Sequence, residues 1–190
     1  MTYGELQRLW RADGHRYAGR SDTSALVRSL LRHPGYRYTF AMRACRYATE
    51  RWRGRAARTV AQLALRRLEY RYGISIPFDT SVGEGLYIGH FGGIVVNHRA
   101  VIGRNCNLSQ GVTLGVVNRG KRQGSPAIGE GVYIGPGAKV VGAVTVGDNV
   151  AIGANCVVTK DVPDNAVVVG VPARVISHDG AGAYVTQTDY

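Results

Sequence analysis

Between Val82 and Val158 an aliphatic residue returns every sixth position, usually with glycine behind it. The pairs are Val82-Gly83, Ile88-Gly89, Ile102-Gly103, Leu114-Gly115, Ile128-Gly129, Ile134-Gly135, Val146-Gly147 and Ile152-Gly153. Ile94, Leu108, Val140 and Val158 hold the step without glycine. Four positions past many of these stands a second small or aliphatic side chain: Cys106, Val112, Val132, Ala138, Val144, Val150, Cys156. Helices repeat near 3.6 residues and strands at 2, so neither makes this pattern, and a hexapeptide repeat predicts a parallel β-helix, a β-solenoid. Each repeat supplies one short strand and one corner, and three repeats close a triangular coil. Residues about 18 apart then stack at the strand spacing of roughly 4.8 Å. No coil buries its own inward face, so stability comes from stacking.

Two breaks interrupt the beat. The eight-residue step from Ile94 to Ile102 predicts a bulge at Asn97-His98-Arg99. The fourteen-residue step from Leu114 to Ile128 spans VVNRGKRQGSPA, a polar, basic stretch that predicts a loop thrown out from the coil. Irregular insertions on a rigid repeat are where function concentrates.

Upstream the pattern turns helical. Ser21-Asp22-Thr23-Ser24 offers capping side chains before a helix that Pro34 and Gly35 close. A second helix is expected over Tyr38 to Arg51. A third runs from Arg55 to Tyr72 with Val60, Leu63, Ala64 and Leu68 on one face, and Gly73 ends it. The chain therefore divides into a helical segment (1–74), a coil domain (75–176) and a tail (177–190) without periodicity, expected to be flexible or draped over a neighbour.

Charge sharpens this division. Residues 1–74 hold 16 Lys and Arg against 5 acids, and residues 75–190 hold 8 of each, so the whole net charge of +11 lies in the helical segment. That segment is either a solvated basic surface or one that meets phosphates, an anionic partner, a membrane periphery or a lipid-linked acceptor. Nucleic acid is excluded by the lack of an aromatic platform or recognition helix. With neither an 18-residue apolar run nor a signal-peptide pattern, a soluble cytoplasmic protein is expected. Cys45, Cys106 and Cys156 are odd in number and far apart, which predicts core thiols and neither a disulfide frame nor a metal site.

The stretches GLYIGHFGGIVVNHRAVIG (85–103), LSQGVTLG (108–115), IGEGVYIGPGAKVVG (128–142) and IGANCVVTKDVP (152–163), with Val169-Gly170-Val171-Pro172-Ala173-Arg174, resemble the serine O-acetyltransferase branch of the hexapeptide acyltransferases. The resemblance implies a left-handed coil, acetyl-CoA as co-substrate, no metal, and a homotrimer or a pair of trimers. It implies that His90 is the general base that takes the proton of an attacking hydroxyl, since imidazole titrates near neutrality. It places the CoA thioester on the late turns, at Gly137, Ala138, Lys139, Ala154, Lys160 and Arg174, with Arg119, Lys121 and Arg122 of the loop as further phosphate ligands. Stacking arithmetic from His90, with a two-residue bulge, sets Gln110 beside it on the next coil. His98 is read as corner packing or a second polar contact.

Three positions depart from the family, all on the acceptor side. Gly89 stands where an aspartate usually precedes the histidine, Gly124-Ser125 replaces Arg-His before a proline, and Ser75 falls where an acidic partner is expected. These departures point to an acceptor other than free serine. The segment HPGYRYTFAMRACRY (33–47) resembles the serine-acetyltransferase-like proteins of capsule and exopolysaccharide clusters, so a sugar hydroxyl is expected, with Gly89, Asn97, Ser125 and Arg43 as acceptor contacts. Tyr36, Tyr38 and Tyr47 suit sugar stacking or helix packing. The alternatives are a divergent serine acetyltransferase of cysteine biosynthesis and a catalytically silent scaffold. A zinc lyase on this coil needs three converging histidines, and the repeat holds only His90 and His98.

Overall fold

The computed structural model describes residues 1–51 and 54–190. Four helices precede a three-faced solenoid: α1 (Tyr3–Ala18), α2 (Thr23–Arg32), α3 (Pro34–Arg51) and α4 (Arg55–Tyr72). The helix α1 was not singled out by the apolar pattern, yet a capping box opens it. The Thr2 hydroxyl accepts from Glu5 N (3.2 Å) and the Glu5 carboxylate from Thr2 N (2.6 Å). Pro34 opens α3 rather than closing α2, because a first helical residue needs no N–H. The second expected helix therefore begins at Pro34, not Tyr38.

The strands follow in chain order: β1 (Ile74–Ser75), β2 (Ser81–Val82), β3 (Ile94–Val96), β4 (Val101–Ile102), β5 (Asn107–Leu108), β6 (Thr113–Gly115), β7 (Ala127–Ile128), β8 (Tyr133–Ile134), β9 (Lys139–Val141), β10 (Thr145–Val146), β11 (Ala151–Ile152), β12 (Val157–Val158), β13 (Val167–Val169) and β14 (Arg174–Ser177). They form three sheets in the orders β1-β3-β6-β9-β12, β2-β4-β7-β10 and β5-β8-β11-β13-β14. All pairs are parallel except β13–β14. Ile134 stacks on Ile152 and Val140 on Val158, which is the expected three-hexapeptide coil.

The register relocates one break. Val96, not Ile94, pairs with Leu114, while Val95 pairs with Thr113. Val96 is thus the inward residue one hexapeptide before Ile102, and Ile94 takes the small-residue position that Val112 fills on the next coil. The extra pair of residues consequently sits between Ile88 and Val96, at His90-Phe91-Gly92. Asn97–Ala100, expected to bulge, forms an ordinary tight turn, with Ala100 N donating to Asn97 O (2.9 Å) and Arg99 N to Asn97 Oδ1 (2.9 Å).

The inward aliphatics make one continuous core with Cys45, Cys106 and Cys156, all three buried free thiols. Burial pushes the Cys106 thiol up to about 12. Close stacking explains the repeat's glycines: a Cβ on Gly103 would lie 2.3 Å from Gly129 O on the next coil.

Polar side chains dock α1 and α3 onto the first coil. Buried Asp13 and Arg43 pair twice (2.6 and 2.9 Å), Arg43 donates to Val82 O and Gly83 O, and Asp13 Oδ1 accepts from Leu86 N. Arg16 donates to Gly85 O (2.8 Å), Asn107 Oδ1 (2.7 Å) and Thr186 O (2.8 Å). The last of these belongs to the tail, which runs back along the coil. Gly180 N donates to Asn165 O, Ala181 N to Asn149 Oδ1 and Tyr190 Oη to Asn105 Oδ1, and the Tyr184 ring stacks on Tyr133 at 4.3 Å.

Candidate active site

The corner that carries His90 is built from both halves of the chain. The Tyr17 hydroxyl accepts from Ile88 N (2.9 Å) and donates to Ile88 O (3.1 Å), fixing the residue two before His90. Burial raises the Tyr17 hydroxyl well above its ordinary value, so it stays protonated and able to donate. Gly35 lets the start of α3 press onto the same point, for a Cβ there would lie 2.1 Å from Ile88 O. From this braced base the backbone bulges outward, and His90 is exposed with no hydrogen-bond partner among the described residues. A free imidazole on a fixed corner is a geometry suited to a general base.

Four candidate residues lie along this one edge. Gly111 N donates to Gly92 O (2.8 Å), Gly137 N to Gln110 O (2.9 Å) and Asn155 N to Pro136 O (2.8 Å). His90, Gln110, Gly137 and Ala154 therefore follow one another down the coil. Gln110 Oε1 is buried without a hydrogen-bond partner, an orphan acceptor beside the histidine's bulge. Gly137 has φ +72°, and a Cβ there would meet Asn155 Oδ1 at 2.2 Å, so only glycine fits.

The remaining candidates divide. Lys160 and Arg174 share a small cavity of about 120 Å³ with Asp161, Pro172 and Ala173. The Lys139 ammonium is turned back onto Gly111 O. The Ala138 side chain is fully buried, its N–H bonds Gly135 O and its carbonyl accepts from Thr113 N, so this residue has nothing left for a ligand. The expected cofactor role of Ala138 is corrected accordingly.

On the next edge Asn97 and Ser125 meet, the Ser125 hydroxyl lying 3.1 Å from Asn97 Oδ1. Gly89 is exposed near the Tyr87 ring. Arg43 does not belong with them: it is buried and fully engaged with Asp13 and the first coil, which removes it from the acceptor contacts. Tyr36 and Tyr38 are likewise core residues, Tyr38 bonding both N and O of Ile76.

The basic loop folds as a short hairpin, with Val117 and Gly124 exchanging two backbone bonds of 2.9 Å. Arg122 forks onto Asp161 (2.9 and 3.2 Å) and its carbonyl accepts from Ala143 N. That pairing holds the Asp161 carboxyl below its usual value, chiefly through Arg122 and then through Thr145 N. Of the three loop cations, Arg122 is thus a clasp, while Arg119 and Lys121 are exposed. Tyr17 and Gly35 were not singled out by the sequence, because a tyrosine in a polar helix and a glycine after proline carry no motif.

Comparison with known proteins follows this geometry. Residues 125–160 match the family model "Bacterial transferase hexapeptide (six repeats)". The chain is 37% identical over 150 residues to the serine acetyltransferase of Helicobacter pylori, covering 79% of this chain and 85% of that protein. It is 41% identical over 108 residues to the serine acetyltransferase of Synechococcus elongatus, a match spanning 57% of this chain and only 44% of the relative. The crystal structure of serine acetyltransferase from Brucella abortus superposes with a TM-score of 0.79 at 30% identity, covering 95% of this chain and 72% of that one. That from Neisseria gonorrhoeae, solved in complex with serine, gives 0.77 at 31% identity, covering 92% and 70%. These likenesses place the solenoid in the left-handed parallel β-helix fold. They overturn the expectation of a sugar acceptor and of a place in polysaccharide biosynthesis, since the relatives are serine acetyltransferases.

Proposed function

The chain belongs to the serine acetyltransferase family, and from that premise we propose that it transfers the acetyl group of acetyl-CoA to the side-chain hydroxyl of serine. The observation that carries this reading is the 37% identity across 85% of a serine acetyltransferase, joined to an unpartnered histidine on a braced corner. His90 takes the proton from the serine hydroxyl as its oxygen attacks the thioester carbonyl. The C–S bond then breaks, and the imidazolium returns that proton to the departing CoA sulfur, leaving O-acetylserine and CoA. A serine acetyltransferase from Brucella abortus has been solved with coenzyme A. In this chain the His90 edge, continuing through Gln110, Gly137 and Ala154 toward Lys160 and Arg174, is where we place acetyl-CoA.

The departures at Gly89, Ser125 and Ser75 then concern how serine is held, not whether it is the acceptor. Asn97 with Ser125, together with the orphan Gln110 carbonyl, are the polar groups we assign to it. We read the assembly as a homotrimer. Exposed aliphatics on the coil, among them Val95, Val101, Val169 and Ile176, supply an apolar surface for neighbouring subunits. No helix among the described residues is long and apolar enough to cross a membrane, and three free buried thiols suit the reducing cytoplasm.

The test is CoA release from acetyl-CoA with L-serine as acceptor. Serine-dependent turnover is expected, falling by about 10²-fold or more in His90→Ala, the range for loss of a general base. A wild-type protein that binds CoA yet leaves serine untouched would refute the reading.

A further inference from the structure

On the far side of Tyr17 from the His90 corner lies a cleft of about 330 Å³ at the end of α2, lined by Tyr17, Arg20, Arg28, Ser29, Arg32 and His33 among others. None of its lining residues is acidic. Arg20 is paired with Asp22 at 3.2 Å. Arg28 and Arg32, one helical turn apart and both exposed, have no ion-pair partner among the described residues. Like charges at this spacing repel, so an uncompensated pair beside a histidine is a cost that a bound anion would relieve.

The helix end does not oppose an anion as a bare C-terminus would. The negative end of α2 is already capped: Arg37 donates to Leu30 O (2.9 Å) and Leu31 O (2.5 Å), and His33 N to Ser29 O (2.8 Å). The two free guanidinium forks therefore face the cleft without a competing carbonyl cluster. Planar forks match tetrahedral oxyanions by bidentate bonds. Two of them balance a dianion, where a single carboxylate would leave one unmatched.

We propose that this cleft is a binding site for a soluble phosphate-bearing small molecule, held by Arg28, Arg32 and His33 over the Tyr17 ring. Its concave shape favours a discrete ligand over the flat face of a bilayer. It is separate from the cavity of Lys160 and Arg174 at the other end of the coil. The claim does not depend on serine being the acceptor, because it is read by binding alone.

The experiment is calorimetric titration of the full chain with pyrophosphate at fixed ionic strength, with acetate as control and a sedimentation arm using phosphatidylglycerol vesicles. Saturable pyrophosphate binding is expected, weakened at least ten-fold in R28Q/R32Q and retained in K160Q/R174Q. R28K/R32K, which keeps the charge and loses the forks, should fall between the wild type and R28Q/R32Q, and this guards against a folding defect in the glutamine variant. The absence of saturation, or loss in K160Q/R174Q with none in R28Q/R32Q, would overturn the proposal. So would binding to vesicles without binding to pyrophosphate.

Discussion

Gln110 shows how much a single residue's position can carry. Its carbonyl oxygen is buried and unpaired, and an orphaned acceptor of this kind normally costs a folded protein free energy. It sits on the coil next to the His90 bulge because Gly137 N, bonded to Gln110 O, and Gly111 N, bonded to Gly92 O, lock the register on both sides. We assign Gln110 to positioning either the imidazole or the serine hydroxyl. Gln110→Ala should lower kcat/KM for serine by about 10- to 100-fold, the effect of losing one hydrogen bond to a reacting group. The KM for acetyl-CoA and the melting temperature should stay put. Steady-state kinetics with each substrate varied would check this, and unchanged serine constants would show that Gln110 is only a corner residue.

At the scale of elements, the solenoid was legible because its inward direction recurs with a fixed period that few other structures produce. What escaped was the phase of one corner. Ile94 and Val96 are both aliphatic and buried, so hydrophobicity alone could not say which one stacks on Leu114. The bulge was therefore placed at Asn97–Arg99 and not at His90, although the position of Gln110 did not suffer, since both assignments insert the same two residues. Helix α1 escaped for a different reason: its buried face includes Asp13, Gly14, His15 and Arg16, which reads as polar. The basic loop was recognised as an insertion, but its clasp was not, because Arg122 and Asp161 are brought together only by the fold. That clasp carries a pH dependence. The Asp161 carboxyl is lowered by Arg122 first and Thr145 N second, so the folded hairpin binds this proton less readily than a released one. The clasp is intact above the ordinary aspartate value of 3.8 and is lost as pH falls through the lowered one. Amide exchange of residues 117–124 should accelerate at that acidic edge, and Arg122→Gln should show the fast rates already at neutral pH. Equal rates in the variant and the wild type at pH 7 would mean that the backbone pairs of Val117 and Gly124 hold the hairpin unaided.

For the whole molecule, a solenoid has a weakness that this chain answers with its tail. Stacked repeats touch only their neighbours, so the ends can fray independently of the middle. Residues 178–190 contain neither helix nor strand, yet they bond Asn165 and Asn149 on the late coils, Asn107 and Asn105 on the early ones, and His15 and Arg16 of α1. Most of these bonds use backbone groups on one side, which is why no sequence pattern announced them. Arg16 is the joint of the arrangement: it is buried, and one of its three acceptors is Thr186 O of the tail. Deleting residues 178–190 removes that acceptor and the Tyr184–Tyr133 stack together. The loss of one charged hydrogen bond and one aromatic contact should cost about 2–4 kcal/mol. For a chain of this size that lowers the melting temperature by roughly 4–16 °C. Because the tail alone spans from the last coil to α1, its removal should also broaden the transition, as the two ends of the solenoid lose their direct link. Differential scanning calorimetry of the truncated and full chains would separate these outcomes. A shifted but equally sharp transition would mean the coils are coupled well enough by stacking alone, and an unshifted one would mean the tail adds no stability to the coil.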